Sequence, residues 1–203
     1  MGANPFPGGL SETDFLRSYQ RSTLRAPQVA ADAALRVMVT AHEPDRPLLV
    51  VAIARAASDA ARNLLAVYEA LRGGRPLAAA LQEANPDIGG WRAFAESARR
   101  APRSLLRELA LPDEALADVE ALGTLEGIEL VEELLRWSQN GFAIVPTTPW
   151  RPSTEEVLLC PRDGGDPLSV REEDATLLAN LTSGLVAAAR TFLALRLGEA
   201  QEA

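Results

Sequence analysis

The stretch PLLVVAIARAASDAARNLLAVYEALRG, from Pro47 to Gly73, carries the longest unbroken helical period in the chain. Leu49, Ile53, Ala56, Ala60, Leu64, Val67 and Leu71 recur at three- and four-residue steps, while Arg55, Asp59, Arg62, Ala66 and Glu69 fall on the opposite side. Pro47 suits a first helical turn and Gly73-Gly74 supplies a stop, so both ends carry the expected punctuation. At ~1.5 Å per residue the helix would run roughly 38 Å, long enough to cross a domain of this size. Its middle is rich in alanine (Ala54, Ala56, Ala57, Ala60, Ala61), which lets a neighbouring helix approach closely. The expectation is a central packing helix in a mainly α fold: a multi-helix bundle with two long amphipathic helices and a small β-ribbon before the C-terminal one.

Working outward, residues 1–10 are rich in Pro and Gly and read as a flexible arm, leaving 11–203 as a single helical domain. Ser11, with Asp14 three places on, opens a first helix carrying Phe15, Leu16, Tyr19 and Leu24. A second, from Pro27 to Ala41, places Val29, Ala33, Val37 and Ala41 on one stripe, broadened by Leu35 and Met38. HEPDRP, from His42 to Pro47, then forces a turn. After the central helix come short helical pieces over 76–84, 90–100, 102–110 and 112–122. A longer helix is expected from Thr124 to Gln139, with Ile128, Val131, Leu135 and Ser138 inward. Asn140-Gly141 ends this pattern. Phe142–Val145 and Glu156–Cys160 are the chain's strand signals, and they define a ribbon and loop over 141–168, with Pro146 confining the first run to an edge and Trp150 as its anchor. Such a ribbon is marginal alone and must rest on the helices, on a partner or in a small sheet. Ser169 with Glu172 reads as a capping box opening a final helix over 169–198, with Leu178, Leu181, Leu185, Ala188 and Phe192 inward.

With 203 residues the chain needs no covalent staple, and its single Cys160 and single His42 exclude an intrachain disulfide framework and Cys- or His-rich metal sites. The first residues lack a basic region followed by an apolar core, and the longest uncharged run, Ala175–Ala189, is short of a bilayer span. No membrane segment, no cofactor and no metal are therefore expected, and the expected location is cytoplasmic. All basic residues are Arg, and the formal net charge is −8. Residues 1–100 hold twelve Arg against ten acids, whereas 101–203 hold eight against eighteen. This balance argues against nucleic acid as a partner, because phosphate neutralisation needs a concentrated basic face.

Three resemblances attach to short motifs. Arg36 followed six places on by His42 resembles the active motif of helical HEPN ribonucleases, which would imply cleavage of a phosphodiester; the residues between, VMVTA, are apolar. The simpler reading of His42 is an exposed helix C-terminal residue favoured by the macrodipole. Cys160-Pro161 resembles the Cys-Pro motifs that offer a thiolate to haem iron, against which stands the reading of a buried free thiol. The segment from Glu155 to Arg196 resembles the close of a GAF-type sensor domain, where a strand leads into a Leu-rich terminal helix; the preceding residues read as helical instead of supplying the sheet of such a sensor.

The nine carboxylates from Glu108 to Glu133 are uninterrupted by any Arg between Arg107 and Arg136. Acid–base or metal chemistry would need them to converge in one concavity, whereas on a helix from Thr124 the side chains of Glu126, Glu129 and Glu133 face solvent. Immediately upstream, Arg92, Arg99, Arg100, Arg103 and Arg107 form the densest basic group. Two neighbouring surfaces of opposite sign could neutralise each other within the chain, if the short helices fold back, or could meet twice across a two-fold axis. In the second case Trp91, Leu105 and Leu109 would supply the affinity. No nucleophile–base constellation, phosphate loop or dinucleotide fingerprint is present. The sequence thus points to a non-enzymatic helical protein acting by association (an assembly, adaptor or chaperone-like module), with itself or another protein as partner and a homodimer expected. Its candidate interface residues are Arg99, Arg100, Arg103, Arg107, Glu126, Glu129, Glu133 and Trp150. The alternative is a sensor or carrier with an apolar pocket between the long helices.

Overall fold

The computed structural model describes residues 10–42, 45–84, 86, 88–140, 142–146, 156–162 and 164–198. In chain order these form α1 (Glu12–Ser18), a π-helical turn (Tyr19–Thr23), α2 (Ala26–Met38), α3 (Arg46–Arg72), α4 (Leu77–Glu83), α5 (Ile88–Arg100), α6 (Pro102–Glu108), α7 (Leu116–Gly123), α8 (Leu130–Asn140), β1 (Phe142–Pro146), β2 (Glu156–Pro161), β3 (Leu168–Arg171) and α9 (Asp174–Arg196). The mainly α bundle with two long helices is the expected fold. The arm over 1–10 lies, apart from the exposed Leu10, outside the described residues, as does Trp150.

Helix α3 is the centre of the molecule. It packs along α9 and α2 and more locally against α8, α4 and β3, and this enclosure buries most of its length, including Ile53, Leu64, Leu65 and Val67. The alanines do what their size allows: Ala54, Ala57, Ala60 and Ala61 are fully buried where the neighbouring helices come close. Enclosure goes further than the amphipathic period implies, since Ala66, expected on the outer side, is also buried. By length and composition α9 could cross a bilayer, but most of it is buried against the rest of the chain. Where α3 crosses α8, Ser58 Oγ donates to Ser138 Oγ at 2.6 Å and Ser138 Oγ donates to the Leu135 carbonyl at 3.1 Å, so both buried hydroxyl protons are accepted.

Helix boundaries follow local chemistry. Ser11 caps α1 as expected, its Oγ accepting from the Asp14 amide at 3.1 Å. Helix α6 ends in a Schellman arrangement, the Leu111 amide donating to the Leu106 carbonyl and the Ala110 amide to that of Arg107, which places Ala110 at φ 50°. The helix expected from Thr124 starts only at Leu130. Thr124 instead closes α7, its hydroxyl donating to the Ala121 carbonyl at 3.1 Å, and Gly127 at φ +80° breaks the path between. Ile128, Val131, Leu135 and Ser138 are buried as expected, but Glu126 and Glu129 belong to the turn.

Of the arrangements left open for the ribbon a small sheet resting on the helices is realised, whereas the expected Ser169 cap and the expected inner stripe of α2 are corrected. The ribbon is a three-stranded antiparallel meander, with β2 paired on both edges: Ile144 lies opposite Leu159, and Val157 opposite Val170. Ser169 therefore sits within β3, facing Leu158 in the ladder, and does not cap a helix from 169; α9 begins at Asp174, whose carboxylate accepts from the Arg171 amide at 2.7 Å. The sheet rests on the bundle through Val157, Leu159 and Val170, which answers how so small a sheet is held. In α2 the inner stripe is Pro27, Ala31 and Ala34, with Leu35 and Met38 packed against the core, so the stripe of Val29, Ala33 and Val37 turns outward. Both stripes have helical spacing, and α3 and α9 take the one that presents Leu35 and Met38.

Candidate functional site

Three surface features bear on function: a charged groove, a cleft at one end of the bundle, and the outer face of α2. The groove runs between α5 and the start of α8. Trp91 and Ile128 are its buried floor, Arg92, Glu96, Arg99 and Arg100 line one side, Glu129 and Glu132 the other, and it encloses about 250 Å³. It exists because α7 crosses α5 almost without clearance. A Cβ on Gly123 would stand 2.8 Å from the Ala98 carbonyl oxygen, and this close crossing carries the following turn and α8 alongside α5.

Charges in the groove are matched within the chain. Arg92 holds Glu132 through two parallel hydrogen bonds, Nε at 3.1 Å and Nη2 at 2.7 Å. Arg99 reaches Glu129 at 2.6 Å while its Nε donates to the Gly123 carbonyl at 3.3 Å, and Arg100 pairs with Glu96 at 2.7 Å. The hydrogen bond from Arg99 holds the exposed Glu129 carboxyl below its ordinary range. Every carboxylate lining the groove thus has an arginine partner.

The sequence-predicted interface residues separate accordingly. Arg99, Arg100 and Glu129 come together in the groove. Glu133 pairs with Arg136 one turn on at 2.7 Å, whereas Arg103, Arg107 and Glu126 are exposed elsewhere and have no ion pair among the described residues. Of the two arrangements open to the opposite charges, the fold-back within one chain is realised for Arg92 and Arg99. Trp91, Leu105 and Leu109, expected to supply affinity across an interface, are each at most 1% exposed in the chain's own core. They are spent on the fold.

The other single residues stand apart. His42 is exposed beyond the end of α2, its carbonyl accepting from the Asp45 amide at 3.0 Å, and Arg36 is exposed on α2. Cys160 is a half-buried free thiol in β2, opposite Ala143. No group of three or more His, Cys, Asp or Glu side chains is placed to hold a metal among the described residues.

The cleft, about 360 Å³, lies where the last turns of α3 and α9 meet α1 and α4; Leu16, Leu71, Leu77 and Leu197 form its apolar part and Arg75 and Arg196 its basic part. The outer face of α2 is the feature that sequence reasoning assigned to the core. Ala26, Val29, Ala30, Ala33 and Val37 are exposed along it, and Val29 and Val37 keep 55% and 52% of their surface in water. Val39 and Leu48, just beyond, are 78% and 55% exposed. The available signal was that α2 carries two apolar stripes while a single helix face meets the bundle. No protein-family model, no curated protein and no solved structure matches this chain.

Proposed function

We propose that this protein is a non-enzymatic helical module that works by association, and that its first partner is a second copy of itself. The observation that carries this reading is the outward apolar stripe of α2. Among the large hydrophobics that the described residues leave exposed, Val29 and Val37 fall on this helix, Val39 just past its end and Leu48 at the start of the next. Isolated exposed apolar residues are ordinary, but a continuous stripe along one helix costs solubility unless something covers it. A single helix face is small beside the ~800 Å² per partner of a standard interface, so the association is expected to be weak and concentration-dependent, roughly micromolar or weaker.

Sedimentation equilibrium over a wide concentration range tests this. The expected result is a reversible monomer–dimer equilibrium that Val29→Asp shifts to monomer without loss of helicity. A monomer at every concentration overturns the reading.

A second reading, a carrier or sensor of a small amphiphile, is favoured by the cleft at the ends of the long helices, where leucines and two arginines share one concavity. Native mass spectrometry of the protein from its own cells separates the two readings: an added mass of a few hundred daltons per chain would favour the carrier, a doubled mass the module.

A further inference from the structure

Resting on the self-association just proposed, we infer that two copies meet with their α2 helices antiparallel across a two-fold axis near Ala33, registered by Asp32 of each copy against Arg36 of the other. By helical period Arg25, Asp32 and Arg36 all lie along one edge of the Val29–Ala33–Val37 stripe, and the opposite edge, through Ala30, carries none. Among the described residues neither the Asp32 nor the Arg36 side chain has an ion pair or hydrogen bond within the chain. These charges are available, unlike those of the α5–α8 groove.

Orientation follows from which edges face one another. When two helices pack antiparallel about a two-fold axis, each charged edge faces its own symmetry copy, and a residue i stands level with a residue j for which i and j sum to a constant. An axis at Ala33 sets Val29 against the partner's Val37 and Ala33 against itself. Asp32 then lies about two residues, roughly 3 Å along the axis, from the level of Arg36 of the second copy, within the reach of an arginine. The pair forms twice, as an isologous interface requires. A parallel dimer would instead set the charged edge against the uncharged one and leave Asp32 and Arg36 unmatched. Ala26, Ala30 and Ala33 let the two helices come near the ~8 Å lower limit for packed axes, and opposed helix directions also align the macrodipoles favourably.

Charge exchange tests the arrangement in the intact chain. Asp32→Arg and Arg36→Asp should each weaken the homodimer by roughly tenfold or more, because each replaces two attractive contacts with repulsive ones. An equimolar mixture of the two variants should recover a heterodimer at least as strong as the native dimer. A native dimer indifferent to both changes overturns this arrangement and leaves self-association standing, whereas a native monomer at every concentration overturns both. A covalent readout guards against misfolded variants: with Cys160 replaced by Ser, Val29→Cys mixed with Val37→Cys should give disulfide-linked heterodimers, and neither variant alone should cross-link. Cross-linking of each variant with itself would mean parallel helices and reject the inference.

Discussion

Gly123 and Ala98 stand so close that a single methyl group added to the glycine would penetrate the backbone of α5. The added Cβ would lie 2.8 Å from the Ala98 carbonyl oxygen and 2.9 Å from Arg99 Cα. Backbone atoms cannot swing aside as a side chain does, so the helices would have to separate. Gly123→Ala is therefore expected to destabilise by about 1–3 kcal/mol, despite alanine's better helix propensity. Gly184→Ala is the informative control, because the nearest atoms to its Cβ would belong to the movable end of the Leu125 side chain, at 2.9 Å. Chemical denaturation of both variants checks the order: Gly123→Ala should cost more.

Ala110 offers a change in the opposite direction. It occupies the left-handed position that ends α6, at φ 50°, where a Cβ is crowded and glycine is at ease. Ala110→Gly should stabilise by up to ~1 kcal/mol, the relief of strain being partly offset by the greater freedom of glycine in the unfolded chain. A higher denaturation midpoint with unchanged slope would show it.

The burial of α3 separates neighbours of similar size. Leu64 has no exposed surface, and its truncation to Ala should cost about 2–5 kcal/mol, depending on how far the site collapses. Arg62, two residues earlier and half-exposed, should tolerate Ala within about 0.5 kcal/mol. Equal losses in thermal denaturation would contradict this packing.

Alkaline pH should act through both tyrosines. Burial pushes Tyr19 up to about 12. Burial, and then the nearby Glu108 carboxylate, raise Tyr68 as well, against the opposing Arg72 guanidinium that lies 5.0 Å over its ring. The folded state thus prefers the neutral phenols, so their contribution to stability is complete below the ordinary tyrosine value near 10 and is lost as pH rises above it, that of Tyr19 as pH rises toward about 12. Tyrosinate absorbance followed against pH should stay low in the folded protein through pH ~10 and rise together with unfolding. Early, reversible ionisation of both rings in folded protein would contradict it.

Much of the fold was legible because it rests on local rules. The period from Leu49 to Leu71, the Ser11 cap and the punctuation at Pro102 and Pro112 each place an element with no knowledge of its neighbours, as does the shift to strand residues after Asn140. The misreadings have two kinds of cause, one distant and one local. Ser169-x-x-Glu172 fits a helix cap, but Val170 is buried when Leu168–Arg171 pairs with β2, so a distant strand decides the conformation. The run from Thr124 reads as helix but is broken locally, because Gly127 takes a positive φ and Thr124 bonds backward to α7.

The candidate surfaces divide along the same line. Sequence alone established the separation of charge along the chain, since that is a property of residue type and position. Which charges neutralise each other, and which stripe meets water, were decided by tertiary structure. Arg99 finds Glu129 because Gly123 permits a crossing too close for any other residue, and Val29 and Val37 face outward because α3 and α9 can cover only one side of α2. Helical period fixes the angle between two stripes but not the rotation of the helix about its axis; that rotation is set by the neighbours that bury one of them.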